Sequence, residues 1–227
     1  MAHIRVRALE VIDRAAAEQQ ARVLLDAAQA QHDYRVASAA ATALIRYCRD
    51  EGRLAEARDL AGQNIRYIQK AQLGPWTRIL GEVQRLRVQR EMGGRARQVQ
   101  AEVLRLRARM DRVPSTSKRP EITRPWNVKE ALLDLAAGVA DDLGHWQEAL
   151  DLNTAVVAAK RARGAVSTDI AAARFNDYGP LISLRRLGDA QHVLRECQKV
   201  FEQDKDFRTL GSILIGQDDV EDKRGHG

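Results

Sequence analysis

Four times along this chain a glycine ends one apolar helical stripe and opens another, and that punctuation restricts the fold more than any other feature. The segments are EGRLAEARDL from Glu51, GGRARQVQAEV from Gly93, LGHWQEALDL from Leu143 and LGDAQHVLREC from Leu187. Their anchoring glycines, Gly52, Gly94, Gly144 and Gly188, are spaced by 42, 50 and 44 residues. Glycine enters the left-handed backbone region that other residues resist, so it ends one helix and lets the next begin at once. A fifth, partial copy is read at KRGHG, with Gly225 in the equivalent place.

Behind each glycine the apolar residues recur at three- and four-residue steps, the period of a helix with one buried face. After Gly144 these are Trp146, Ala149, Leu150, Val156 and Val157; after Gly188, Ala190, Val193, Leu194, Cys197, Val200 and Phe201; after Gly94, Ala96, Val99, Val103, Leu106 and Met110. A helix of similar length precedes each glycine. Tyr34 to Asp50 carries Ala41, Leu44, Ile45 and Cys48; Trp76 to Met92 carries Ile79, Val83 and Leu86 behind Pro75; Val128 to Asp142 carries Leu132, Leu133, Ala136 and Ala140. Thr168 to Leu187 carries Ile170, Ala173, Leu181 and Leu184, with Ser167 or Thr168 as its expected cap and Gly179-Pro180 as an expected kink or break. A leading helix over 4–31 carries Val6, Leu9, Val11, Ala15, Ala16, Val23, Leu24 and Ala27. No single helix pair can bury such faces alone, so neighbouring pairs must stack.

Aromatic residues are 4% of the chain against 44% hydrophobic residues overall, so Ala, Leu, Val and Ile must build the core. Cys48 and Cys197 lack metal-ligand spacing and read as small, reduced core residues. The five histidines form no helical pair at metal spacing, and neither a Cys-x-x-Cys nor an HExxH run occurs. Gly93-Gly94 is followed by no GKS or GKT, and no Ser or Cys sits in a nucleophile elbow. The reading is therefore not an enzyme, with no cofactor and no metal. No apolar run is long enough to span a bilayer, and the first twenty residues lack the apolar block of a signal peptide, which points to the cytoplasm. The excess of Arg over Lys and the abundance of Ala fit a GC-rich bacterial source.

The run LGHWQEALDLNTAVVAAK resembles the inter-helix turn and second helix of a tetratricopeptide (TPR) repeat, on Leu143, Gly144, Trp146, Ala149 and Leu150. LGDAQHVLREC resembles it with Ala190 and Val193 as replacements, and EGRLAEARDL keeps Gly52, Leu54 and Ala57. The longer period is similar to that of the extended repeats of large bacterial tandem-repeat proteins. The resemblance implies an all-α, right-handed superhelical solenoid of antiparallel helix pairs. Its expected divisions are a leading helix at 4–31, repeats at 33–72, 74–112, 126–163 and 167–203, a Pro-rich loop at 113–125, and a partial repeat at 206–227. Arg87 and Arg90 depart from the pattern, since they fall where the second repeat's first helix is ordinarily small or apolar.

In that architecture the first helix of each pair lines an inner groove. The spacing then puts Thr42, Arg46, Arg49, Gln84, Asp134, Tyr178 and Arg185 toward it, where they are candidates to hold a peptide or helix of a protein partner. The resemblance implies a non-catalytic interaction scaffold, as in the repeat regions of bacterial signalling, regulatory or defence proteins. The alternative uses the basic excess: residues 85–124 hold 11 Arg and 1 Lys against 4 acids. Arg105, Arg109 and Arg112 are expected on one helical face there, as an anion or nucleic-acid surface. Aromatic residues for base stacking are nearly missing from that stretch, which weighs against nucleic acid. The Pro-rich loop reads as an insertion between repeats, with a boundary between two sub-arrays or a contact loop as the alternative. The acidic last helix, from Phe207 to Lys223, is expected to pack through Leu210, Ile213 and Leu214 and to leave an open end for self-association. The turn-like KRGHG suggests a segment of a longer array.

Overall fold

A helix that buries one stripe needs a neighbour within a short turn, and the chain meets that need repeatedly. The computed structural model describes residues 13–225. Its helices are α1 (Arg14–Ala30), α2 (Tyr34–Asp50), α3 (Leu54–Lys70), α4 (Pro75–Glu91), α5 (Ala96–Met110), α6 (Pro125–Asp142), α7 (Trp146–Ala162), α8 (Ser167–Phe175), α9 (Tyr178–Ser183), α10 (Leu187–Asp204) and α11 (Phe207–Gly225). No strand occurs among the described residues. The chain divides into two compact units after Leu132, within α6.

In the first unit α1 packs on α2, α2 on α3, α3 on α4 and α4 on α5, while α2 also meets α4. Its core holds Leu44, Ile45, Leu60, Ala61 and Ile68, with Trp76, Ile79, Val83 and Leu86 buried along α4. In the second unit α7 meets α8 and α9, both of which meet α10, and α10 packs on α11. Leu150, Leu181, Leu194, Phe201 and Ile213 are buried together there.

The turns share one device. All but the 111–124 loop and the α8–α9 break close with a residue in the left-handed region: His32, Gly52, Gln72, Gly93, Gly144, Gly164, Arg185 and Lys205. The next residue donates its N–H back across the turn, as Arg53 does to the Cys48 carbonyl at 2.8 Å, Leu73 to Ile68 at 3.1 Å and Arg186 to Leu181 at 2.8 Å. This satisfies carbonyls that a helix end would otherwise strand. Within each unit these residues follow one another about twenty positions apart, one helix and one turn. The glycine spacing in the sequence is therefore twice the true cadence, because non-glycine residues occupy half of the turns. Two anchors are corrected. The left-handed residue of the second segment is Gly93, not Gly94, and before the fourth it is Arg185, not Gly188. Gly94 is needed for closeness instead: a Cβ there would meet the Gln89 carbonyl oxygen at 2.6 Å. A left-handed backbone costs a non-glycine residue about 1 kcal/mol. Gln72→Gly is expected to raise stability by about 0.5 kcal/mol, and Gly52→Ala to lower it by about 1 kcal/mol. Urea midpoints at unchanged slope check both.

Some stripes lie elsewhere than expected. In α1 the buried residues are Ala17, Ala21, Leu25 and Ala28, while Val23 is 52% exposed. Alanines bring α1 close to α2 around Leu25, and Val23 and Leu24 are left at the margin. The positions 4–12 expected to extend this helix lie outside the described residues, as do the last two residues of KRGHG. Trp146 sits at the edge of its helix, 36% exposed, and Leu214 points outward at 57%. Of the kink or break expected at Gly179-Pro180, the break occurs: α8 stops at Phe175 and α9 starts at Tyr178. The proline ring would collide with the carbonyl four residues back, at Asn176, so the helix parts there. The cap of α8 is the extended Val166, which makes no side-chain capping bond; Ser167 is already the first helical residue.

Cys48 and Cys197 are buried free thiols. Burial first, then nearby acids, pushes each up to about 11. Cys197 donates to the Ala171 carbonyl at 3.3 Å. Both stay protonated near neutral pH, so neither should react with a thiol-directed disulfide reagent at pH 7.5 until urea unfolds the chain. Counting modified thiols below and above the unfolding midpoint checks this.

Candidate partner-binding groove

Helices α2 and α4 each present one polar and one apolar series to the same side. Along α2, Ala39 and Ala43 precede Arg46 and Arg49; along α4, Leu80 precedes Gln84 and Arg87. With Ile122, Asn127 and Ala131 these residues line an open groove of about 510 Å³ in the first unit. Such steps of three and four residues keep side chains on one helical face.

A buried amide fixes the floor. Asn64 of α3, 1% exposed, accepts from the Ser38 hydroxyl at 2.6 Å and donates to Thr42 Oγ1 at 3.2 Å and Gln84 Oε1 at 3.3 Å. Ser38 and Thr42 belong to α2 and Gln84 to α4, so one side chain holds three helices in register. Thr42 and Gln84 are thereby oriented from behind while they face the groove. Arginines supply the charge. Arg49 is ion-paired with Glu91, Arg46 lies over the Tyr47 ring at 5.2 Å, and Arg87 donates to the Ala131 carbonyl at 3.1 Å. No Asp or Glu is among the residues that line the groove.

The Pro-rich loop forms one wall. Glu121 caps α4 from outside that helix. Its carboxylate accepts from the N–H groups of Trp76 at 3.1 Å and Thr77 at 2.8 Å, and from the Thr77 hydroxyl at 2.5 Å. Gly74 donates to the Pro120 carbonyl at 2.8 Å, the Trp76 indole N–H to the Pro114 carbonyl at 3.0 Å, and Ile122 N–H to Thr77 Oγ1 at 3.1 Å. The cap residue of α4 is Gly74, which has no side chain to do this work. A Cβ there would sit 2.1 Å from Glu121 Oε1, so glycine is what lets the carboxylate in. The loop is thus a strap, and its next residues, Ile122 and Thr123, line the groove.

Thr42, Arg46, Arg49 and Gln84 are brought together on this groove. Asp134, Tyr178 and Arg185 belong to the second unit. Asp134 accepts from Asn176 at 3.2 Å. Tyr178 stands 4.9 Å from the Phe175 ring, and burial, then Asp219 and Asp141, raises its phenol above the ordinary value. Arg185 is exposed in the turn after α9 and not on a helix, because the break at Pro180 shortens that segment. In the basic region, Arg105 is exposed on α5 and Arg109 pairs with Glu82 at 2.6 Å. Arg112 is not on their helical face: α5 ends at Met110, and Pro114 drives Val113 out of the helical region. Groove residues not foreseen include Arg87, Ile122, Thr123 and Asn127, beside the apolar lining of Ala39, Ala43, Leu80 and Ala131. Arg87 was legible, since it follows Gln84 by three residues; the strap residues become neighbours only through Glu121.

No family model matches the chain, and no curated protein matches it. Among solved structures, the repeats of a Podosopora anserina protein described as a kinesin light chain with nearly identical TPR-like repeats superpose with a TM-score of 0.52, at 16% identity, over 90% of this chain and 95% of that one. A variant of that protein gives a TM-score of 0.53, at 16% identity, over 90% and 94%. The fold is TPR-like. Among the described residues no helix is long and apolar enough to cross a membrane.

Proposed function

We propose that this TPR-like chain is a non-catalytic interaction scaffold whose first-unit groove receives an acidic peptide or helix of a protein partner. The lining carries the reading: three arginines and no carboxylate, beside Thr42, Gln84 and Asn127, over an apolar wall. Such a surface favours carboxylates by charge and an apolar residue by contact, and its hydrogen-bonding groups fix orientation. Shallow, open grooves of this kind bind through a few anchors, and Arg46 and Arg87 are the residues that supply them here.

The test is fluorescence anisotropy with a labelled amphipathic peptide of alternating Glu and Leu, against a Lys-Leu control. Binding to the acidic peptide alone is expected, falling at least tenfold in the Arg46→Ser/Arg87→Ser variant and weakening with salt. If a single-stranded RNA oligonucleotide binds, loses affinity on Arg105→Ser, and the acidic peptide does not bind, the groove reading is overturned in favour of a nucleic-acid surface.

A further inference from the structure

Helix α11 leaves one of its faces uncovered. Ile213 and Val220 are buried against the second unit, and Gly216 lies against Leu194 and Tyr178. Ile215, 66% exposed, points the other way; Leu214, 57% exposed, lies to the side, where with Asp218 it borders an open cleft against Gln191, Arg195 and Gln198 of α10, and Asp218, Asp219 and Asp222 are exposed after it. Leu214, Asp218 and Asp222 follow at four-residue steps, so they share one face. Along the helix this face is apolar first and acidic afterwards.

The groove of the first unit has the same order with the opposite charge. On α2, Ala39 and Ala43 come before Arg46 and Arg49; on α4, Leu80 comes before Arg87. The lengths also agree. At about 1.5 Å per residue, Leu214 to Asp222 spans about 12 Å, and Ala39 to Arg46 spans about 10 Å.

We propose that α11 of one copy docks in the first-unit groove of a second copy, running in the same direction as α2 and α4. Leu214 and Ile215 then meet Ala39, Ala43 and Leu80, and Asp218 and Asp222 meet Arg46 and Arg87. This rests on the reading of the groove as an acidic-partner site, and it names the partner as another molecule of this chain. The two surfaces of the contact differ, so a docked pair retains one free groove on one copy and one free helix on the other. Such a contact is heterologous and adds copies until a ring closes or a chain grows.

The experiment is sedimentation equilibrium of the full chain over a hundredfold concentration range, at low and high salt. The mass is expected to rise with concentration and to fall back toward the monomer in high salt. Asp218→Lys with Asp222→Lys disables the helix, and Arg46→Ser with Arg87→Ser disables the groove. Either variant alone should be a monomer of native helicity. Mixed in equal amounts, they should form a dimer and nothing larger, because one intact helix and one intact groove remain between them. Leu214→Ser, at an exposed position, should weaken association without unfolding the chain. A monomer at every concentration, or undiminished association of the helix variant, overturns the proposal. If the chain stays monomeric while the Glu-Leu peptide still binds in the groove, self-docking alone fails. If the peptide is not bound either, the groove reading fails with it.

Discussion

Replacing Glu121 by Ala lowers the stability of the first unit by about 2–3 kcal/mol, although the residue lies in a Pro-rich loop. The carboxylate accepts three hydrogen bonds at the start of α4, two from backbone N–H groups that the helix itself leaves unpaired. Its charge also faces the positive end of the helix dipole. Glu121→Gln keeps one acceptor oxygen and the shape, and should cost roughly half as much. Gly74→Ala should act in the same direction by pushing the carboxylate out, since the new methyl would fall 2.1 Å from its oxygen. Because both changes break one contact, the double variant should cost less than the two added together. Urea unfolding followed by Trp76 fluorescence, with Trp126 and Trp146 replaced by Phe, reads the first unit directly. A loss below about 0.5 kcal/mol for Glu121→Ala would show that the strap is a passive connection. Release of the strap also frees Ile122 and Thr123 from the groove, so acidic-peptide affinity should fall with stability.

The strap marks the boundary of what the sequence discloses. Helix α2 is legible at both ends, because Asp33 caps it with a bond to the Val36 N–H and Gly52 closes the following turn. Four of its buried residues, Ala41, Leu44, Ile45 and Cys48, follow from helical period alone. The half-repeat cadence is hidden, since His32, Gln72, Arg185 and Lys205 adopt the left-handed conformation with no compositional sign of it. Backbone hydrogen bonds across the turn, such as Leu73 to Ile68 and Arg186 to Leu181, offset the cost of that conformation. The same holds for the groove. Thr42, Arg46, Arg49 and Gln84 share its lining because they sit at helical spacing on two first helices. Glu121 and Thr77 are 44 residues apart and meet through a carboxylate-to-backbone contact that no periodic pattern encodes. Arg185 fails for a local reason: Pro180 breaks the helix on which its direction was read.

Asn64→Leu should be the most costly change among the buried polar residues, at about 2–3 kcal/mol, with the helices retained. The leucine is close in volume, so the loss comes from hydrogen bonding and not from a cavity. Ser38, fully buried, keeps its hydroxyl and loses its acceptor. Thr42 and Gln84 can turn toward solvent in the groove, so their loss is smaller in energy and larger in order. Ser38→Ala alone removes only the donor and leaves Asn64 its other two partners, at a cost of about 1 kcal/mol. The double variant Ser38→Ala/Asn64→Leu should then be more stable than Asn64→Leu alone, because no buried polar group remains unpaired. That recovery separates a hydrogen-bond penalty from a steric one, which the second substitution would not relieve. The groove supplies an independent reading. With Thr42 and Gln84 no longer held, the double variant should fold well yet bind the Glu-Leu peptide more weakly than the unaltered chain. Stability regained without affinity regained would mean that Asn64 serves both the packing of α2, α3 and α4 and the preorganisation of the surface they present. Affinity that returned along with stability would confine Asn64 to the core.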